Sequence, residues 1–178
     1  VAAILNNKSN ERWHEDPVRF GWLDFIESED VLDALLNKVE EFALKHGCGT
    51  LKGPLGFTNM DKAGTLVEGF DRLSSFTCLY NYPYYGRMLE AAGFRKDKDW
   101  IQRVIIIPEE TPRMFDYCGL ISERYGLHMV EGQTMRSLAK RYGRRIFKLY
   151  NESFEPIYAS SALSDKQIDE YRSEEHTS

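Results

Sequence analysis

Cysteine is scarce in this chain and poorly placed for cysteine chemistry. Its 178 residues include three, Cys48, Cys78 and Cys118. They are odd in number and isolated, with no CxxC or Cys/His spacing, which argues against a disulfide framework and a zinc site. The histidines His14, His46 and His128 are scattered, so no metal is expected. Long hydrophobic runs are missing too. Both Val1–Leu5 and Val104–Ile107 fall far short of the roughly 20 apolar residues of a membrane-spanning helix, so no membrane partner is expected. Basic excess is also absent. Lys and Arg total 23 against 28 Asp and Glu, a net charge of −5, which argues against nucleic acid as a partner on electrostatic grounds. These absences together favour a reduced, cytoplasmic setting.

What remains is ordinary globular composition, rich in Tyr and Phe, in a length that suits one domain or one and a part. The chain opens at Val1 inside an apparent strand. It closes on RSEEHTS, residues 172–178, a heptapeptide that resembles the in-frame translation of a sequencing-library adapter. Residues 172–178 are therefore set aside from functional reasoning, and the chain is read as a fragment.

Periodicity orders the rest. Val1–Leu5 reads as a strand, Asn6–Pro17 as a polar loop and Arg19–Ile26 as a second strand. In that strand Phe20, Trp22, Asp24 and Ile26 share one face, and Gly21, Leu23 and Phe25 the other. Val31–His46 is an amphipathic helix by its 3.6-residue stripe, with Ser28 or Asp30 to cap it and Gly47 to stop it. Thr50–Phe57 reads as a strand parallel to Arg19–Ile26, joined to it through a right-handed crossover. Pro54 lacks an N–H, so this strand is either at an edge or parted from its neighbour at that point. Pro83 opens a helix that Gly93 ends. Trp100–Ile107 alternates as a strand, Thr111-Pro112 starts a further helix, and Thr134–Phe154 is a long basic one. Ser164 and Gln167 make a capping box for the last helix.

This order resembles the core of the GNAT N-acetyltransferase superfamily, an α/β fold with a mixed sheet. YNYPYYGRMLEAAGF, residues 80–94, is similar to that family's second-helix motif through Asn81, Gly93 and Phe94. Together with FGWLDF, LKGPLGFT and LVEGFD it resembles a little-characterised bacterial branch whose chains carry two acetyltransferase-like halves. The resemblance implies a core over 1–110, connecting helices and the start of a second half over 111–171, and a missing remainder of the same chain. It implies an acyl-CoA donor, such as acetyl-CoA, lying between the two parallel strands against Leu23, Phe25, Ile26 and Tyr84. It also implies a small-molecule amine acceptor and allows a homodimer. Two departures stand out. The strand–helix junction that would hold pyrophosphate is Glu27-Ser28-Glu29-Asp30, three acids and no glycine. The position where the family often has a proton-donating tyrosine is Leu89.

Three residues are candidates for catalysis. Tyr85, with Tyr84, offers a phenol that can protonate a thiolate or bind an acyl oxygen, and equally can pack at a helix start. Asp24, mid-strand, is either a general base or the ion-pair partner of an arginine such as Arg19 or Arg103. Glu68 lies between two turns and is a weaker candidate. The stripe Arg136, Lys140, Arg144 and Lys148 could grip a phosphate or tRNA, but it reads better as a solvated face opposite Met135, Leu138, Tyr142, Ile146 and Leu149. Three functions follow as expectations: an acyltransferase acting on an amine, a non-catalytic half of that fold used for binding or dimerisation, and aminoacyl transfer from tRNA.

Overall fold

Val18 and Phe20 give the second strand its grip on the interior, and the sheet grows outward from them. The computed structural model of the chain describes residues 1–76, 78–130 and 134–174. Strand β1 (Ala2–Ile4) pairs antiparallel with β2 (Val18–Gly21), and β2 pairs parallel with β3 (Leu51–Lys52). The order β1-β2-β3 is a small mixed sheet. Helix α2 (Glu29–Lys45) crosses between the parallel strands and buries Leu32, Leu36, Val39 and Ala43. Helix α3 (Tyr84–Ala91) adds Tyr85, Met88 and Leu89 to the same core. The chain is thus mixed α/β, as the sequence indicates.

Several segments differ from the expectation. Residues 6–17 are a loop only over 14–17. Asn6 caps a helix, α1 (Asn7–Trp13), by accepting from the Ser9 N–H at 3.1 Å. Asn and Ser disfavour helix interiors but favour caps, and a one-sided count of polar residues hides that distinction. The second strand stops at Gly21 because Trp22 turns to a positive φ of 47°. That bulge inverts the alternation. Phe20, Leu23 and Phe25 all face inward, while Trp22 and Ile26 stand 61% and 68% exposed.

The third strand is equally short. In the β2–β3 register the Val18 N–H donates to Thr50 O, and the next N–H due at Phe20 O belongs to residue 54. Proline has none, and the Leu55 N–H donates to Phe20 O instead, at 2.8 Å. The regular ladder therefore ends, as anticipated from Pro54, but the chains do not part there. They come closer. A Cβ on Gly53 would lie 2.4 Å from Phe20 O, and one on Gly21 would lie 2.6 Å from Leu55 O.

The expected strand at 100–107 does not form. Those residues pair with nothing in the sheet, and Val104 to Ile107 are 79–87% exposed. Alternation gives β-propensity, but a strand needs an edge to pair with. The helix after Pro112 forms as a 3-10 turn (Arg113–Phe115) running into α4 (Asp116–Tyr125). Its stripe Met114, Cys118, Ile121 and Tyr125 faces solvent.

Helix α5 (Met135–Phe154) starts at Thr134, which caps the Ser137 N–H at 3.2 Å. It packs on α6 (Asp165–Glu174) through Phe147, stacked on Tyr171. Ile146 and Leu149 of the anticipated apolar face remain exposed. In the basic stripe, Arg144 meets Asp169 at 2.5 Å and Lys148 meets Glu152 at 3.9 Å, so much of its field is neutralised. The Ser164/Gln167 capping box is present in both directions. Of the tail set aside, residues 172–174 continue α6, and 175–178 lie outside the described residues. Among the described residues, no helix is long and apolar enough to cross a membrane.

Candidate functional site

The bulge at Trp22 and the start of α3 bring two sequence candidates together. Past Gly21 the chain carries Leu23 and Phe25 inward, which leaves Asp24 on the outer side. Helix α3 begins at Tyr84, and its first turn points at the same stretch. The Tyr85 hydroxyl donates to Asp24 Oδ1 in a very short hydrogen bond and accepts from the Phe25 N–H at 3.2 Å. The Tyr84 hydroxyl donates to the Phe25 carbonyl at 2.6 Å. Both backbone polar groups of Phe25 are thereby satisfied by tyrosines. The tyrosine rings stack, Tyr82 on Tyr84 at 5.8 Å and Tyr84 on Tyr85 at 4.9 Å, and Tyr85 meets Phe25 at 4.4 Å with the rings tilted 46°.

Asp24 has no arginine partner. The alternative of an ion pair with Arg19 or Arg103 does not form: Arg19 makes its hydrogen bonds with Ser9, Gly56 and Ala159. Tyr85 takes the place of the cation. Burial of its ring, and then the hydrogen bond to Asp24, push the Tyr85 phenol up to about 12. At neutral pH this phenol is a proton donor held ready beside a carboxylate. The raised value also links to stability. A phenol that ionises more easily in the unfolded chain, near 10, contributes stability in full below pH 10. That contribution is lost as pH rises through the folded value. Unfolding free energy should therefore fall between about pH 10 and pH 12, and the fall should be shallower in Tyr85→Phe. Urea titrations at closely spaced pH values would measure the difference; identical slopes in both proteins would refute it.

Other candidates are not gathered in. Leu23 and Phe25 are core residues, so they present backbone rather than side chains to any ligand. Ile26 is solvent-exposed. Glu68 is exposed and makes no hydrogen bond or ion pair among the described residues. Asn81 holds that loop to α3 by accepting from the Leu66 N–H at 2.9 Å. Gly93, at φ +93°, closes α3, and Phe94 folds back onto Phe20 with ring centroids 5.1 Å apart. Leu89, where the resembled family often has tyrosine, is buried apolar core.

The acidic junction is not capped by side chains, contrary to the expected role of Ser28 or Asp30. Ser28 occupies the N-cap position in an extended conformation, without a side-chain hydrogen bond. Its carbonyl accepts the first helical bond, from the Leu32 N–H at 3.1 Å. Glu29 and Asp30 lie in the first turn, where they complement the helix dipole. Glu27 reaches across to Arg87 at 2.6 Å, tying the junction to α3. Both partners of that pair are largely exposed, so the tie is weak.

Among the described residues no group of His, Cys, Asp and Glu is arranged to hold a metal ion. The sequence identified Asp24 and Tyr85 separately but not as partners, because their contact depends on the bulge at Trp22. Nothing in the pattern FGWLDF marks a positive φ at a tryptophan.

Comparison with known proteins adds one relative. The chain is 28% identical over 107 residues to Protein YghO of Escherichia coli (strain K12), a match covering 58% of this chain and 27% of that protein. The chain thus matches about a quarter of the length of this relative, whose name states no activity. No family model and no solved structure matches the chain.

Proposed function

We propose that the chain is an acetyltransferase-like acyltransferase in which Asp24 and Tyr85 handle the protons of acyl transfer from a thioester, such as acetyl-CoA, to an amine. The observation that carries this reading is the Tyr85–Asp24 hydrogen bond, formed just past the end of β2. The amine nitrogen attacks the thioester carbonyl and the C–S bond breaks. Asp24 takes the proton released by nitrogen through its free carboxylate oxygen. Tyr85 donates to the departing thiolate and recovers a proton from Asp24, so the pair ends as it began. Such positioned proton transfer is worth roughly 10²–10⁴ in rate.

The donor's fit is partial. Its amide-bearing arm would need the Phe25 N–H and C=O, which Tyr85 and Tyr84 now occupy. Its phosphates would face Glu27, Glu29 and Asp30, with a repulsion of roughly 1 kcal/mol per charge pair at about 4 Å in water. This occupied slot favours a second reading, a non-catalytic half that keeps the fold and serves binding or dimerisation.

Free-thiol release from acetyl-CoA in the presence of a panel of primary amines tests the first reading. Asp24→Asn should slow the reaction by about 100-fold or more. Tyr84→Phe, which frees the Phe25 carbonyl, should tighten acetyl-CoA binding in calorimetry from the parent's expected millimolar range. Full activity in Asp24→Asn would sink the proton-relay assignment. No thiol release and no binding, even in Tyr84→Phe, would select the non-catalytic reading.

A further inference from the structure

Arg19 is 3% exposed, and among the described residues its guanidinium forms no direct ion pair; the Glu15 carboxylate acts on it only through space. It donates to Ser9 Oγ at 2.5 Å, Ala159 O at 2.9 Å and Gly56 O at 3.3 Å, all neutral acceptors, and its Nε has no partner. Arginine cannot escape burial by losing its proton. A buried charge is ordinarily paired directly, and this one is not.

Beside it lies a cavity of about 60 Å³ lined by Ser9, Trp13, Glu15, Arg19, Lys52 and Tyr158, among others. A second cation, Lys52, enters this space. Its ammonium lies 5.2 Å from the Tyr158 ring and 2.5 Å from Glu15, and its side chain is only 19% exposed. Glu15 comes from the segment after α1 and is 45% exposed, free to turn to solvent. The Tyr158 hydroxyl donates a hydrogen bond to Asp97. The cavity holds about four or five water-sized spheres, at about 12 Å³ each. That is space for a formate or acetate, and too little for a nucleotide.

We propose that this cavity binds a small carboxylate or similar monoanion between Arg19 and Lys52, with the Glu15 carboxylate occupying the anion's place when the cavity is empty of it. Glu15 is then a competitor rather than a ligand. It is the lining group that can leave, and its departure frees the Lys52 ammonium. The site is separate from Asp24 and Tyr85, and the proposal does not depend on the acyltransferase reading.

The two cavity residues predict effects of opposite sign. Thermal unfolding of the full chain is followed in sodium formate, acetate and benzoate, with sodium chloride at matched ionic strength as reference. Formate and acetate should raise the melting temperature saturably in the millimolar range. Glu15→Gln should tighten that response several-fold by removing the competing charge. Lys52→Met, at a partly exposed position that leaves Arg19 in place, should weaken it by tenfold or more. A response no different from chloride would overturn the proposal, as would a Glu15→Gln response equal to or weaker than the parent's. Saturation by benzoate as strongly as by acetate would overturn the size limit on which the assignment to small carboxylates rests.

Discussion

Phe20→Ala is expected to lower the unfolding free energy by about 3–5 kcal/mol, the range for deleting a fully enclosed aromatic ring. Phe20 has no exposed surface and sits in a cluster with Val18, Leu32, Leu36 and Val39. Its ring also meets Phe94 edge-on. Removing it leaves Phe94, and with it the close of α3, without its seat. Since α3 positions Tyr84 and Tyr85, the change should loosen the candidate site as well as the core. Small domains have about 5–15 kcal/mol in total, so the variant should be close to unfolding at 37 °C. Urea denaturation followed by tryptophan fluorescence gives the number. A loss below about 1 kcal/mol would mean that Phe20 is not enclosed as described. Ile105→Ala is the matched control. Ile105 is 85% exposed, and its substitution should stay within about 0.5 kcal/mol.

Gly53→Ala is the second large effect, and its cause is different. The added methyl would meet a backbone oxygen, Phe20 O at 2.4 Å, and the Phe20 ring at 2.7 Å. A flexible side chain could swing away; a carbonyl already bonded to the Leu55 N–H cannot. The two strands must move apart, and the hydrogen bond that bridges Pro54 is lost. Overpacking of this kind typically costs about 1–3 kcal/mol, and the lost bond adds about 1 kcal/mol. Gly47→Ala separates this from ordinary glycine effects. Gly47 has φ +71° but open space around its Cβ position, so only the conformational strain of about 1–2 kcal/mol applies. If both variants lose the same amount, the close approach of the strands is not what Gly53 serves. The widened strands should also open the slot beside Phe25. A Gly53→Ala protein that stays folded is therefore worth testing for acetyl-CoA binding.

The elements most legible in the sequence are those that carry their own stabilisation. Helix α2 has a stripe at 3.6 spacing and a glycine stop, and it lies within two residues of its expected bounds. The capping box at Ser164 and Gln167 needs four residues of chain and nothing else, and it forms. The parallel relation of β2 and β3 follows from the helix between them. Segments that depend on a distant partner read less well. Trp100–Ile107 has a strand's residues without a strand's neighbour. Helix α4 has an apolar stripe that covers nothing.

The site lies on that same boundary. Sequence by itself determined the residue types: a carboxylate in an apolar strand, two phenols at a helix start, three acids where a phosphate loop could stand. Their chemistry belongs to those side chains wherever they sit. Only the tertiary structure decided their partners. A single residue at positive φ, Trp22, turned Phe25 inward and Asp24 outward, and so gave Asp24 a tyrosine instead of an arginine. Side chains alternate along a strand with a period of two, so one bulge reassigns every residue beyond it to the other face. No local pattern in the chain announces where that reversal falls.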